Sequence, residues 1–220
     1  MLQLSYTEEN YLKCIYALCD YTVQQECSTT AIAQHLNIRK ATVSSMLRKL
    51  SEKALVDFAP YGKAKLTTTG EKHALLVIRK HRLWEVFLVD KLGFAWSEVH
   101  HVAEQLEHIQ STQLIDSLDT YLNYPTSDPH GDPIPRKDGV LPQLNLRKLY
   151  SAKVNETVKV HSVSDSDAGV LAYLSQHHIL PNTQLTIAAK AEALDTIIVE
   201  IDSNSISLTK KVAELILVSA

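Results

Sequence analysis

Between residues 81 and 108 the chain carries histidine and glutamate side chains at the spacing of a helix face. The six residues are His81, Glu85, His100, Glu104, Glu107 and His108. His81 and Glu85 are four positions apart, His100, Glu104 and His108 follow at intervals of four, and Glu107 lies three positions after Glu104, so on helices of about 3.6 residues per turn they share one face. Carboxylate oxygens with imidazole nitrogens suit Mn²⁺, Fe²⁺ or Zn²⁺, and the lack of a thiolate argues against a soft-metal or iron–sulfur site. The spacing therefore indicates a divalent-metal site on two helices.

Such side chains are also common on solvated helix faces, so a purely structural face is the alternative. The flanking residues are strongly apolar, which indicates helices that pack against other elements. These flanks include Leu83, Trp84, Val86 and Phe87 in the first half and Val99, Val102, Leu106 and Ile109 in the second. A metalloenzyme is disfavoured, because the sequence has neither H-E-x-x-H nor the inverted H-x-x-E-H order and lacks a nucleophile elbow or phosphate loop.

Length and composition favour an ordinary soluble protein. The 220 residues allow two domains or three small ones, with 45% apolar and 21% charged residues. The N-terminus shows no signal-peptide pattern, and no apolar run has the length of a membrane span. Cys14, Cys19 and Cys27 are odd in number and lack a C-x-x-C spacing, which favours reduced thiols. The sequence thus predicts a cytoplasmic protein that does not enter the membrane.

A basic segment occupies residues 37–66, although the whole chain has a net charge of −3. It has seven basic and two acidic residues, a pattern typical of a nucleic-acid contact. The same region predicts a short helix over 31–36, a turn, a basic helix over 40–53 and a strand–turn–strand wing over 54–67. This order of elements predicts a winged helix-turn-helix that binds double-stranded DNA. Its candidate contacts include Thr42, Ser44, Ser45, Arg48, Lys49, Lys63 and Lys65.

The segment after the wing is helical and apolar. One long helical pattern continues to about Leu92, a second starts near Ser97 and a third spans about 112–122. Helices of this apolarity beside a small DNA-binding unit predict a dimer interface, which matches the two-fold symmetry of a palindromic operator.

The last third of the chain changes to short strand-like runs, interrupted by one helix at about 167–178. The runs are Val158–Val163, Leu185–Ile187, Ile197–Ile201, Ser205–Leu208 and Leu215–Val218. Five short strands predict a small closed barrel. The predicted fold is therefore mainly α with a small β domain. Its parts are a winged helix-turn-helix (1–72), a helical metal-binding and dimerisation domain (73–142), a linker (143–155) and a small β-barrel (156–220).

These patterns together resemble the diphtheria-toxin-repressor family of metal-dependent transcriptional regulators, which includes iron- and manganese-responsive repressors. The resemblance covers essentially the whole chain and is carried by Thr7–Leu12, Arg79–Glu85, Val99–His108, Asn123–Thr126 and Gly131–Pro135. It implies a FeoA-like barrel and a homodimer that binds manganese(II) or iron(II) and represses metal-uptake genes. A winged-helix regulator that responds to a non-metal signal is the alternative.

The resemblance further implies roles for individual residues. A regulatory metal site would consist of Asn10, Glu104, Glu107 and His108. An ancillary site would consist of His81, Glu85, His100 and, from the barrel, Asp167, with Val170 unable to ligate at the second barrel position. Thr42, Ser44 and Ser45 match DNA-contact positions, with Arg39 and Lys40 as phosphate partners.

Three positions bear on the metal. Glu104 matches manganese-responsive members, where iron-responsive ones have cysteine, and this hard ligand favours manganese(II) first and iron(II) second, with zinc or cobalt able to bind in vitro. Lys13 stands where manganese-type members carry an acidic ligand, and a protonated ammonium cannot ligate, so a close two-metal cluster is not expected. Asn10, where the family usually has Met or Asp, offers only a neutral oxygen and weakens the regulatory site.

Overall fold

The computed structural model describes residues 3–19, 26–59, 62–142, 144–202 and 204–219. The chain divides into two compact units, each described by itself below. The first comprises Met1–His81, Leu106–Gln110 and Pro135–Leu141, and the second comprises Arg82–Gln105, Ser111–Ile134 and Pro142–Ala220. Residues 73–142, which the sequence predicts as one helical domain, are therefore divided between the two units.

The first unit contains the predicted winged helix-turn-helix. Its elements are α1 (Tyr6–Leu18), α2 (Thr29–His35), α3 (Lys40–Glu52), β1 (Val56–Phe58), β2 (Ala64–Leu66) and the first part of α4 (Thr68–Leu92). The two strands pair antiparallel, with Val56 opposite Leu66, and form the wing. The wing turn was predicted to include Pro60 and Tyr61, which lie outside the described residues.

A capping box starts α1, as the Ser5-x-x-Glu8 pattern predicts. The Ser5 side chain accepts a hydrogen bond from the Glu8 backbone N–H, and the Ser5 backbone N–H donates to Glu8 Oε2 at 2.9 Å. Lys53 Nζ also donates to Glu8 Oε1 at 2.6 Å. Burial alone would raise the pKa of Glu8, but the bonds from Lys53, Ser5 and Lys49 outweigh it and lower that pKa from 4.5 to about 2.

Helix α3 is held by one apolar face, which leaves the other face accessible. Val43, Leu47 and Leu50 are fully buried and lie at the i, i+4, i+7 spacing of one helix face. At the start of α4, a Cβ on Gly70 would lie 1.9 Å from the carbonyl oxygen of Leu55, so a side chain cannot be accommodated there. Glycine therefore permits the close approach of α4 to the wing.

The second unit combines helices with a six-stranded antiparallel sheet. Its elements are the second part of α4, α5 (Val99–Leu106, of which Leu106 belongs to the first unit), α6 (Thr112–Tyr121), β3 (Arg147–Lys148), β4 (Thr157–Val163), α7 (Ala168–Gln176), β5 (Gln184–Ala191), β6 (Thr196–Ile201), β7 (Asn204–Thr209), α8 (Lys210–Ala213) and β8 (Ile216–Ser219). The strand order is β3-β8-β4-β5-β6-β7. Among the helices of the described ranges, none has both the length and the apolarity required to cross a lipid bilayer.

Two features of the sheet differ from the prediction. In the described residues it does not close into a barrel, because β3 and β7 are its edges and do not pair with each other. The sheet also begins earlier than predicted, since Arg147 pairs with Val218, and Leu149 and Ala152 are fully buried in its core. Residues 147–155, predicted as part of a linker, therefore belong to the sheet domain.

Candidate metal centres

A buried carboxylate, Glu85, is the centre of a cluster in the second unit that we call the Glu85 cluster; its members are Glu85, His100, Asp128, His130 and Asp165. Glu85 on α4 is fully buried. Its Oε1 lies 3.6 Å from Nδ1 of His100 on α5, and the same nitrogen lies 2.9 Å from Asp165 Oδ2. Interactions with Asp165, Glu104 and Glu85 outweigh burial and raise the pKa of His100 from 6.5 to about 12. These interactions therefore place an imidazolium among carboxylates.

The other oxygen of Glu85 faces a second histidine. Glu85 Oε2 lies 3.8 Å from Nδ1 of His130, which is fully buried. The other ring nitrogen, Nε2, donates a hydrogen bond to the carbonyl of Trp96 at 2.7 Å, so in the neutral ring Nδ1 carries the lone pair. Within the described part of the chain, Nδ1 of His130 has no hydrogen-bond partner. A buried acceptor directed at a carboxylate is the arrangement that a cation between them would stabilise.

Asp128 completes this side of the cluster. One oxygen from each of Glu85 and Asp128 and a ring nitrogen of His130 lie within 4.8 Å of one another. Burial, followed by the charges of Asp132 and Glu85, raises the pKa of Asp128. Its Oδ1 accepts bonds at 2.9 Å from the backbone N–H groups of His130 and Asp132, which fix the carboxylate.

The proline-rich loop that carries Asp128 and His130 is held against β4. Val163 N–H donates to the His130 carbonyl at 2.9 Å. Gly131 has φ 91°, and a Cβ there would lie 1.9 Å from the carbonyl oxygen of His161. A residue with a side chain is thus excluded twice, by backbone conformation and by space. This close approach sets the position of the preceding histidine.

The sheet-domain carboxylate that lies against His100 is Asp165, whereas the predicted Asp167 is directed elsewhere. Asp167 is exposed and is the N-cap of α7, where its Oδ1 accepts bonds from the N–H groups of Gly169 at 2.9 Å and Val170 at 3.1 Å. Capping the helix turns this side chain toward its own backbone. Asp165, two residues earlier in the turn, reaches His100 instead. Val170 packs against the core of the sheet domain, as expected for a residue that cannot ligate.

A second group of acidic and histidine side chains lies in the first unit. We call it the Glu107 cluster; its members are Glu9, Lys13, His81, Glu107 and His108. The Glu107 side chain is 1% exposed, and its Oε2 lies 2.5 Å from His81 Nδ1. Lys13 Nζ donates to both Glu107 oxygens, at 2.6 and 2.8 Å. Burial would raise the pKa of Glu107, but His81 and Lys13 outweigh it and lower that pKa.

Glu9 provides the second carboxylate of this cluster. His108 Nδ1 lies 2.6 Å from Glu9 Oε2, while Lys80 Nζ and Gln110 Nε2 lie 3.3 and 3.0 Å from Glu9 Oε1. The tip of α1 is also stacked on this histidine, since the Tyr6 and His108 rings are 4.6 Å apart. Two carboxylates, from Glu9 and Glu107, are thus matched by two lysine ammonium groups.

Two predicted members of the regulatory site are placed elsewhere. Asn10 is exposed, because it lies one residue beyond Glu9 and so about 100° around the helix from it. Glu9 and Lys13 are four residues apart and share the face of α1 that meets Glu107 and His108. Glu104 has a side chain that is 46% exposed, and its Oε1 lies 3.4 Å from His100 Nε2, so it borders the Glu85 cluster.

The predicted DNA contacts form an accessible basic surface in the first unit. Exposed members are Arg39, Lys40, Thr42, Ser45, Arg48, Lys49 and Lys63, whereas Ser44 and Lys65 are half-buried. Two of the lysines also have acidic partners: Lys49 Nζ lies 3.2 Å from Glu8 Oε1, and Lys63 Nζ lies 4.0 Å from Glu26 Oε2. Small hydroxyls and cations on the exposed face of a helix beside a wing suit a major groove and its phosphates.

The fold and these clusters define a class: proteins that join a winged helix-turn-helix to a metal-ligating helical region and a small β domain. Three family profiles match in this order: the iron dependent repressor N-terminal DNA binding domain at residues 3–64, the iron dependent repressor metal binding and dimerisation domain at 67–136, and the FeoA domain at 147–220.

Individual proteins show the same likeness. The chain is 33% identical over 201 residues to the iron-dependent repressor IdeR of Mycobacterium tuberculosis strain H37Rv, covering 85% of this chain and 86% of that protein. A solved structure of a manganese-dependent transcriptional repressor in complex with manganese has a TM-score of 0.90 and 37% identity, covering 97% of this chain and 99% of that one. A probable metal transport system membrane protein of Chlamydia trachomatis is 43% identical over 72 residues, which are 33% of this chain and 16% of that protein. The chain belongs to the iron-dependent (diphtheria-toxin) repressor family.

Proposed function

We propose that this protein is a manganese(II)-activated dimeric repressor that binds the operators of metal-uptake genes, with iron(II) as the second candidate metal. The observation that carries the proposal is the Glu85 cluster, where buried carboxylate and imidazole groups converge with no sulfur ligand. Hard oxygen donors with one or two imidazoles are the ligands that Mn²⁺ and Fe²⁺ accept. When bound, a divalent ion supplies the positive charge that this acidic cluster otherwise takes from protons.

The residues of the cluster have distinct tasks. Glu85 would supply an oxygen donor on either side: with Asp165 and His100 Nδ1 on one side, and with Asp128 and His130 Nδ1 on the other. The bond from His130 Nε2–H to the Trp96 carbonyl fixes the ring and leaves Nδ1 available, the usual device for orienting a histidine ligand. His100 must lose a proton before it can ligate, so metal binding releases protons. Glu85 lies one helical turn after His81 on α4, so ligation at Glu85 acts on the same helix that carries a member of the Glu107 cluster.

DNA binding is assigned to α3 and the wing of the first unit. Two copies of α3 in a dimer would reach successive major grooves of a palindromic operator, as two-fold-symmetric helix-turn-helix proteins do. Arg48 and Lys49 would neutralise phosphates, and Thr42 and Ser45 would reach base edges. The similarity of part of the chain to a probable metal transport system membrane protein supports a link to metal transport.

The test is binding of the full-length, metal-stripped protein to sheared genomic DNA, with and without Mn²⁺ or Fe²⁺, under anaerobic conditions. We expect retention of specific fragments only with metal. Glu85→Gln should remove the metal dependence by removing the shared carboxylate, whereas Arg48→Ala should remove DNA retention and leave Mn²⁺ binding intact. Equal retention with and without metal would refute the metal switch and favour a winged-helix regulator of another signal.

A further inference from the structure

The Glu107 cluster differs from the Glu85 cluster in what balances its charge. In the Glu85 cluster, Glu85 and Asp165 face the imidazolium of His100, and Asp128 lies 3.4 Å from the guanidinium of Arg82. In the Glu107 cluster the ammonium of Lys13 is bonded to both oxygens of a carboxylate that is 1% exposed, one of which also lies 2.5 Å from His81 Nδ1. Bonds at 2.6 and 2.8 Å place the ammonium on both oxygens, so it competes with a divalent ion that would bind both oxygens of that carboxylate.

We propose that Lys13 is a built-in cation for Glu107, so that this cluster holds α1 in place without a metal and binds a divalent ion only by displacing the ammonium. This inference rests on the proposed function, because it concerns how many ions the regulator needs. It makes the Glu85 cluster the tight metal site of the chain and the Glu107 cluster a weak one.

The way α1 is held supports this assignment. Lys13 and Glu9 lie four residues apart on one face of α1, and they meet residues of opposite character. Lys13 binds the carboxylate of Glu107, and Glu9 binds the ring of His108 at 2.6 Å. Helix α1 thus supplies a cation to Glu107 and an anion to the next residue, His108, and neither contact requires an added ion. Charge-assisted pairs with one buried partner are the stronger kind of hydrogen bond.

The experiment counts Mn²⁺ ions bound to the full-length protein from the loss of the electron paramagnetic resonance signal of free Mn²⁺. The test variant is Lys13→Gln, which removes the charge but keeps an N–H donor for Glu107. Lys13→Arg retains the charge. The matched control is Lys53→Gln, because Lys53 also pairs at 2.6 Å with a buried glutamate, Glu8 on α1, but lies outside the cluster.

In the unaltered chain, Lys13→Arg and Lys53→Gln, we expect one tight Mn²⁺ per chain. In Lys13→Gln a second ion should bind on the order of ten- to a hundred-fold more tightly than in the unaltered chain, the range that corresponds to loss of a hydrogen bond to a charged group. Adding Glu107→Gln to Lys13→Gln should remove that second ion. Melting of Lys13→Gln should also depend more strongly on Mn²⁺ than melting of the unaltered chain.

Two tight ions in the unaltered chain would overturn the proposal, and that measurement needs no variant to fold. A folded Lys13→Gln protein that binds Mn²⁺ as the unaltered chain does would overturn it as well. Failure of the proposed function would give a different experimental result. In that case Glu85→Gln leaves Mn²⁺ binding or DNA retention unchanged, while the comparison of Lys13→Gln with its Glu107→Gln derivative still reports on the Glu107 cluster.

Discussion

Two aspartates of one turn provide a sharp test of the Glu85 cluster. Asp165 and Asp167 precede α7, and each can be changed to asparagine with the loss of one negative charge. Asp165 Oδ2 lies 2.9 Å from His100 Nδ1, whereas Asp167 Oδ1 caps α7 at 2.9 and 3.1 Å from two backbone N–H groups. Asparagine caps helices about as well as aspartate, so neither change should unfold the domain.

The two variants should lose very different amounts of affinity for Mn²⁺. Residues that merely orient a metal ligand typically contribute about 10- to 100-fold to affinity, so a direct carboxylate donor should be worth at least the upper end. We therefore expect Asp165→Asn to weaken Mn²⁺ binding by about 100-fold, or about 2.8 kcal/mol at 1.4 kcal/mol per factor of ten. Asp167→Asn should stay within about twofold of the unaltered chain, since its side chain is exposed and directed at the helix backbone.

Isothermal titration of the metal-stripped, full-length protein with Mn²⁺ measures both affinities, and a pH series adds a second readout. The pKa of His100 is raised to about 12, so the proton must be displaced throughout the neutral range. Because the metal competes with protons, the affinity for Mn²⁺ should rise by about tenfold per pH unit for each proton released. In Asp165→Asn the pKa of His100 falls because its first partner is lost, and NMR titration of the ring should detect that fall. Equal losses in the two variants, or an unaffected Asp165→Asn, would refute this assignment.

Three further outcomes follow from the first unit. Arg48→Ala should weaken DNA binding across sequences and lower the slope of log affinity against log salt by about one, measured by fluorescence anisotropy, while Mn²⁺ titration stays normal. The pKa of Glu8 is lowered to about 2 in the folded chain, so the stabilisation that ionised Glu8 gives is complete above about pH 4.5 and is lost as the pH falls toward 2. Urea unfolding should show this loss of stability, and the Glu8→Gln variant should not show it. Gly70→Ala should destabilise by about 1–3 kcal/mol because its Cβ would lie 1.9 Å from the Leu55 carbonyl oxygen; at Gly93 nothing lies within 4 Å of a Cβ, so alanine there should cost only the smaller penalty of its positive φ, about 1 kcal/mol.

Most of the fold could be predicted from the periodic spacing of apolar residues. The winged helix-turn-helix, the long α4, the two following helices and the strand-rich final third are all confirmed by the structure. The reason is physical, since a buried stripe such as Val43, Leu47 and Leu50 appears directly in the spacing of apolar residues. Barrel closure was wrong, because whether edge strands meet depends on their length and β3 has two residues, both paired with β8.

The candidate site was predicted less completely than the fold. Glu85 and His100 could be selected because both stand on helices whose phase is fixed by apolar neighbours. Asp128 and His130 were not selected as candidate ligands because they lie in a loop, more than forty positions from Glu85, where no periodicity indicates direction. The signal that was available was the close sequence Asp128-Pro-His130-Gly131, with a glycine that permits tight packing.

The other differences between the predicted residues and the observed clusters are displacements of one or two positions. Asn10 and Glu9 are adjacent, yet one is exposed and the other is 5% exposed and bonded to His108. Asp165 and Asp167 differ by two positions in a turn, and helix capping decides which of them faces inward. Such choices depend on tertiary contacts that a residue pattern does not encode.

The two clusters show how similar donor sets can have different affinities for the same ion. Carboxylate and imidazole groups are present in both, so donor chemistry alone does not separate them. What differs is the competing cation. A proton on His100 leaves to solvent when metal binds, at a cost that buffer pH controls. The ammonium of Lys13 is covalently attached to α1 and cannot leave, so displacing it also breaks the contact that holds that helix to Glu107. Metal binding at both clusters should therefore depend on pH, but only binding at the Glu107 cluster should depend on the residue at position 13.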